Sequence, residues 1–219
     1  MMMIIIEYMM IIIYIVNRTE RESFERKPMK VSREQAARNR DRVIAAAARL
    51  FRERGFDHVA VADVMKSAGL THGGFYGQFD SKADLAAEAC RRSVAKTLER
   101  WDKLAGESAD EPLAAVIDAY LSPQHRDDPG RGCLLAALGP EIARQDPTLR
   151  HIVTEGLRAL IDGLGKLIPN RSKAARRRKA LALFSGMVGA IVLARAVDDP
   201  ALSEEILRAT EATLTPQVS

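Results

Sequence analysis

Cysteine, aromatic residues and strand-like patterning are all scarce in this chain, and each shortage excludes a class of protein. Cys90 and Cys133 are the only cysteines in 219 residues, too few for a disulfide scaffold and suited to a reducing, cytoplasmic setting. Aromatics make up 5% of the chain while alanine is abundant, which favours helix over strand. No segment after residue 16 alternates apolar and polar residues as a half-buried strand would. Catalytic patterning is missing too. Acidic pairs are scattered, no glycine-rich phosphate loop follows a strand, and Cys133 has no evident histidine partner. No second His or Cys lies at ligand spacing from His72, so neither a metal nor a cofactor is expected.

What remains is an all-α soluble protein of one or two domains, 47% apolar and 28% charged. The net charge of +4 is unevenly placed. Residues 30–82 hold ten Lys/Arg against six Asp/Glu, whereas residues 1–29 hold four of each sign and residues 83–219 nineteen of each. The whole positive excess therefore sits in 30–82, where duplex DNA is the natural partner through counterion release. A solvated basic face would give the same count.

The first sixteen residues, MMMIIIEYMMIIIYIV, are apolar but shorter than the roughly 20 residues of a spanning helix. They lack the basic start and small-residue cleavage site of a secretory signal. Two readings follow: a membrane tether or interaction tail, or an extension upstream of a true start at Met29. The second is preferred, with 17–28 as a polar linker.

From Ser32 the chain reads as successive helices. Ser32 and Gln35 form a capping box for a helix to about Arg54, ended by Gly55. Ser81, with Asp84, caps a long helix to about Leu104, and Asp110 caps Glu111–Leu121. Ser122–Gly132 reads as a loop. Cys133–Arg144 is a helix bent near Gly139-Pro140, and Asp146-Pro147 opens another. Helices at 172–197 and 203–214 follow; the first is apolar almost all round after a basic start, so it must be buried or at an interface.

The stretch Val61–Lys82 is different in kind. Val61, Val64, Met65 and Ala68 give a short apolar helix face, and Gly69 stops it in a left-handed conformation. Thr71 then caps a second short helix, His72–Gln78, too rich in glycine to serve as core. This is a helix-turn-helix pattern. With Phe51, Gly55-Phe56, Asp63-Val64, Ala68-Gly69-Leu70, Gly73, Phe75-Tyr76, Phe79 and Ser81-Lys82 at their spacings, residues 33–85 resemble the TetR family of transcriptional regulators. Residues 132–150 resemble a subgroup with a cysteine at the start of a ligand-domain helix.

The resemblance implies about nine helices in two parts: a helix-turn-helix DNA-binding domain at 30–82 and a ligand-binding and dimerisation domain at 83–219. It implies a homodimer through the helices at 172–197 and 203–214, a palindromic operator, and release by a small-molecule or electrophile effector. Val59-Ala60 replaces the Thr or Ser that usually caps the second helix of the family. In that geometry His72, Gly74 and Gln78 face base edges, Gly73 and Gly74 let the backbone approach, and Thr71, Tyr76 and Lys82 hold phosphates. Phe75 and Phe79 pack the small domain's core. Trp101, Tyr120, His125, Leu134 and Leu138 are candidates to line the effector pocket. Cys133, at a helix start and two residues after Arg131, is the candidate for covalent sensing, against the alternative of a small buried apolar residue.

Overall fold

The computed structural model describes residues 33–169 and 172–215, and every regular element among them is helical. The apolar run 1–16 and the Ser32 cap lie outside the described residues. Nine α-helices are present among them: α1 Arg33–Arg54, α2 Val61–Ser67, α3 Lys82–Glu107, α4 Pro112–Tyr120, α5 Pro123–Asp127, α6 Leu134–Ile142, α7 Pro147–Lys166, α8 Lys173–Ala196 and α9 Pro200–Leu214. Single 3-10 turns occupy His72–Gly74 and Pro129–Arg131. The chain divides into residues 1–38 and 39–219. The described part of the first unit is the opening of α1, where Arg38 pairs with Glu34 one turn away at 2.7 Å.

Side-chain caps fix most of the starts. Ser81 Oγ accepts from the Asp84 amide at 3.0 Å, Asp146 from Thr148 and Leu149, and Ser172 from Ala175. Three expected boundaries move. α4 begins at Pro112 with Glu111 in the capping place, so Asp110 is not its cap; proline suits the first turn because that amide would go unbonded anyway. The expected loop 122–132 contains α5, capped by Ser122 with Pro123 behind it. α9 starts before Ser203, at Pro200, because Asp199 accepts from the Ala201 and Leu202 amides at 2.8 and 3.2 Å.

Two hydrophobic cores run through residues 39–219. One joins α1 and α2 to Phe75, Phe79 and the first half of α3, and takes in Leu134, Leu138 and Ile142 of α6 with Leu149 and Val153 of α7. The other centres on Trp101, Ile117, Leu164, Phe184, Met187 and Ile191. α8 is long and apolar enough to cross a membrane by length and composition. It is packed against α7 and α9, yet leaves Leu181, Val192 and Leu193 exposed. Of its glycines, a Cβ on Gly186 would lie 3.2 Å from Leu214 of α9, while one on Gly189 would meet none of the described residues within 4 Å.

Candidate nucleic-acid interface and the adjoining cavity

The second helix of the helix-turn-helix pattern is shorter than its sequence suggests. Gly69 takes the expected left-handed conformation, φ 67°, but His72–Gly74 is one 3-10 turn, not a helix to Gln78. Its bonds run Gly74 N to Thr71 O and Phe75 N to His72 O, each about three residues apart in sequence. Three glycines in six residues have too little helical preference to extend it. Thr71 has the extended backbone of a cap but makes no side-chain capping bond. Ala60 likewise caps α2 without a side-chain bond; Asp63 reaches back to its amide at 3.1 Å, half of a capping box.

Core and surface residues of this turn separate cleanly. Phe75 and Phe79 are buried and stack at 5.5 Å, with the Arg40 guanidinium 4.7 Å above the Phe79 ring. Tyr76, by contrast, is 69% exposed, its ring edge-on to both His72 and Phe75. Thr71, His72, Gly73 and Gly74 are exposed beside it, and Lys82 is half-buried at the start of α3. Gln78 faces back into its own turn: its amide nitrogen donates to the Gly74 carbonyl at 2.9 Å and its Oε1 is buried without a partner among the described residues. Cβ atoms built on Gly73 or Gly77 would meet none of the described residues within 4 Å, and neither has positive φ. No feature of the described residues requires glycine at those two places.

Two ties fasten this unit to the helices that follow. Gly55 ends α1 at φ 85°, and the next amide, Phe56 N, donates to Glu141 Oε2 of α6 at 2.8 Å. Arg52 of α1 donates through Nε to the Gly130 carbonyl at 3.1 Å and through Nη1 to Ser93 Oγ of α3 at 2.5 Å; its Nη2 also donates to Gly130. Nothing in the sequence marks either tie, since the partners lie dozens of residues apart.

Arg52 borders a cavity of about 330 Å³ among α1, α3, α4 and the 130–133 segment. Trp101, Tyr120, His125 and Cys133 line it, whereas Leu134 and Leu138 do not; they pack into the first core. Cys133 sits in the capping place of α6 and is 4% exposed. Arg131, two residues before it, is 83% exposed and lies 3.6 Å from Asp128. Burial pushes the Cys90 thiol up to about 12, which keeps it protonated and inert.

His125, on the helix that the sequence reads as loop, locks one wall of the cavity. Its Nδ1–H donates to the Tyr120 carbonyl at 2.6 Å, and Nε2 accepts from the Cys133 amide at 2.8 Å, so both ring nitrogens are committed and the ring is neutral. A Cβ on Gly132 would lie 2.7 Å from Nε2, so glycine is needed for this approach. Arg195 of α8 clamps the same turn by donating to the His125 and Arg126 carbonyls. Burial, together with the Arg195 and Arg100 cations, lowers the His125 pKa to about 4. Below its ordinary value of 6.5 the unfolded chain takes up a proton that the folded chain refuses. Stability should therefore fall as the pH drops from 6.5 towards 4, by up to about 3 kcal/mol from this residue. Urea midpoints across that range, compared with those of His125→Gln, should show the variant lacking this part of the slope.

With this geometry in view, the kinship of the chain can be placed. Residues 43–89 match the family model for bacterial regulatory proteins of the tetR family. An uncharacterized HTH-type transcriptional regulator of Mycobacterium tuberculosis is 31% identical over 164 residues, covering 71% of this chain and 84% of that one. The chain belongs to the TetR family. TetR-family kinship is also seen in the HTH-type regulator TtgR of Pseudomonas putida, 36% identical over 92 residues, 41% of this chain and 43% of that one. An HTH-type regulator of Bacillus subtilis matches over 88 residues, so the chain spans less than half the length of both these relatives. Among solved TetR-type structures, one from Chloroflexus aurantiacus superposes with a TM-score of 0.66 at 28% identity, covering 84% of this chain and 98% of that one. Reduced E. coli NemR superposes at 0.68 with 22% identity over 82% and 99%, which speaks to fold alone. These likenesses support no membrane-tethered interaction protein; they are to transcriptional regulators.

Proposed function

We propose that this TetR-family chain is a cytoplasmic DNA-binding repressor that leaves its operator when a small molecule occupies the cavity beside α3. The observation that carries this is the His72–Tyr76 surface: exposed, glycine-rich, and backed by the stacked Phe75 and Phe79. Residues 30–82 would form the reading domain and 83–219 the effector and dimerisation domain. His72 and Gly74 would face base edges in the major groove, while Thr71, Tyr76 and Lys82 hold phosphates and set register. Gln78, turned onto the Gly74 carbonyl, would stiffen the turn and reach a base only after giving up that bond.

Two copies would pair through α8 and α9, where Leu181, Val192, Leu193 and Leu202 are exposed and a Cβ on Gly189 would meet open space. A twofold dimer carries two reading turns and so favours a palindromic operator. An effector acts only if it binds the released arrangement more tightly than the DNA-bound one. The two ties, Arg52 to Gly130 and Ser93, and Phe56 to Glu141, are the means by which α3 and α6 hold the reading unit.

Gly73→Ala separates this reading from a structural role. With open space at the Cβ and no positive φ, the variant should fold with unchanged stability or gain about 0.5–1 kcal/mol. Its affinity for duplex from upstream of its own gene, followed by fluorescence anisotropy, should fall about tenfold or more, the size of one lost contact. Undiminished affinity would remove the His72–Tyr76 surface from the interface.

A further inference from the structure

We propose that the effector is a small organic carboxylate, its head held by Arg52 and the Tyr120 hydroxyl and its apolar body laid against Trp101 and Leu104. This rests on the effector-responsive reading above and names the chemical class that the cavity selects. Among the described residues six basic side chains line the cavity, Arg49, Arg52, Arg92, Lys96, Arg100 and Arg131, and no Asp or Glu does. Basic residues on a helix ordinarily face water and balance nearby acids. Three of these do balance an acid: Arg49 with Glu53, Arg92 with Asp41, Arg131 with Asp128. Arg52, Lys96 and Arg100 have no ion pair among the described residues.

Arg52 is the least ordinary of the three. Its bonds are to a neutral carbonyl and a neutral hydroxyl, and burial lowers its pKa by more than the attraction of Asp128 and Glu53 raises it, with neither acid close enough for an ion pair. Its fork has five N–H groups, of which these contacts use three, leaving donors for one carboxylate. The Tyr120 hydroxyl supplies the second, independent sign. It is buried in the cavity wall beside Cys133 with no hydrogen-bond partner of good geometry among the described residues. Burial raises its pKa well above the ordinary value, so it stays a donor. A buried donor and a cation lining one cavity are together complementary to an anion. Lys96 and Arg100, one turn apart on α3 and exposed, would draw the acid in. A cavity of about 330 Å³ stands at the small end of ligand pockets, which limits the acid to a short chain or two fused rings.

The test uses matched probes on the full chain: octanoate against octanamide, and 2-naphthoate against 2-naphthamide. Calorimetry without DNA reads binding, and anisotropy of the upstream duplex reads release. At least one acid should bind about tenfold or more tightly than its amide and weaken duplex binding at the same concentrations. Arg52→Met should abolish the preference for acid. Tyr120→Phe, which keeps the ring and its packing, should reduce acid affinity about threefold to tenfold while leaving amide affinity unchanged, even if Arg52→Met folds poorly. Equal binding of acids and amides, no acid binding below millimolar concentration, or an unaltered preference in Tyr120→Phe would overturn the proposal. Duplex bound without any response to acid would sink this inference alone. Failure to bind the duplex would sink the repressor reading, while the calorimetric preference would still decide the ligand class.

Discussion

Phe51→Ala is expected to cost about 3–5 kcal/mol, the usual range for removing a buried aromatic ring. Phe51 is 1% exposed on α1, and its ring lies 5.2 Å from that of Phe56 across the end of the helix. It belongs to the core shared by α1, α2 and the stacked Phe75 and Phe79, which backs the exposed reading turn. Little can collapse into the vacated space, because the neighbours come from several elements held by their own caps and by the Arg52 and Glu141 ties. In a chain of this size each kcal/mol moves the thermal midpoint by about 2–4 °C, so a drop on the order of 10 °C is expected by circular dichroism. Phe51→Leu, which keeps most of the volume, should lose far less. A shift of only a degree or two in Phe51→Ala would mean that this core is looser than its burial indicates.

Gly55→Ala should cost about 2–3 kcal/mol for two separable reasons. The first is backbone: at φ 85° an alanine meets the left-handed penalty of roughly 1–2 kcal/mol. The second is steric: the new Cβ would lie 2.6 Å from Glu141 Oε1. A carboxylate end can ordinarily swing aside at little cost, but this one accepts from Phe56 N at 2.8 Å, so yielding forfeits a bond worth about 1 kcal/mol. Combining Gly55→Ala with Glu141→Ala in a double-mutant cycle should show coupling of that size, leaving the backbone part behind. Additive losses would show that Glu141 does not press on this turn.

How far the fold was legible depended on whether the determining group lay nearby in sequence. Asp146-Pro147 announces α7 because cap and first-turn residue are adjacent, and the carboxylate reaches the second and third amides without help from elsewhere. Asp199-Pro200 is the same signal for α9 and could have been read; Ser203, buried with its hydroxyl on the Ala194 carbonyl, is a packing contact and not the start. Ser122-Pro123 likewise announces the short α5 inside what looks like loop. At His72–Gln78 the spacing was right and the length wrong, since glycine content weighs against continuing the helix. The cavity was the least legible part. Arg92, Lys96 and Arg100 repeat at four-residue spacing on α3, a pattern open to inspection, but Arg52 joins them only because α1 crosses to Gly130, a contact spanning 78 residues. Leu134 and Leu138 show the converse: apolar residues on a helix near a pocket still face the core when a second cluster lies behind them.

The most direct measurement is the affinity of the chain for its own upstream duplex across a salt series, beside an unrelated duplex of equal length. If Thr71–Lys82 forms a DNA-reading surface, the upstream duplex should bind more tightly at every salt concentration. The logarithm of its affinity should fall linearly with the logarithm of salt, with a slope of about −2 or steeper as several phosphates are neutralised. Equal affinity for the two duplexes, or a slope near zero, would contradict it.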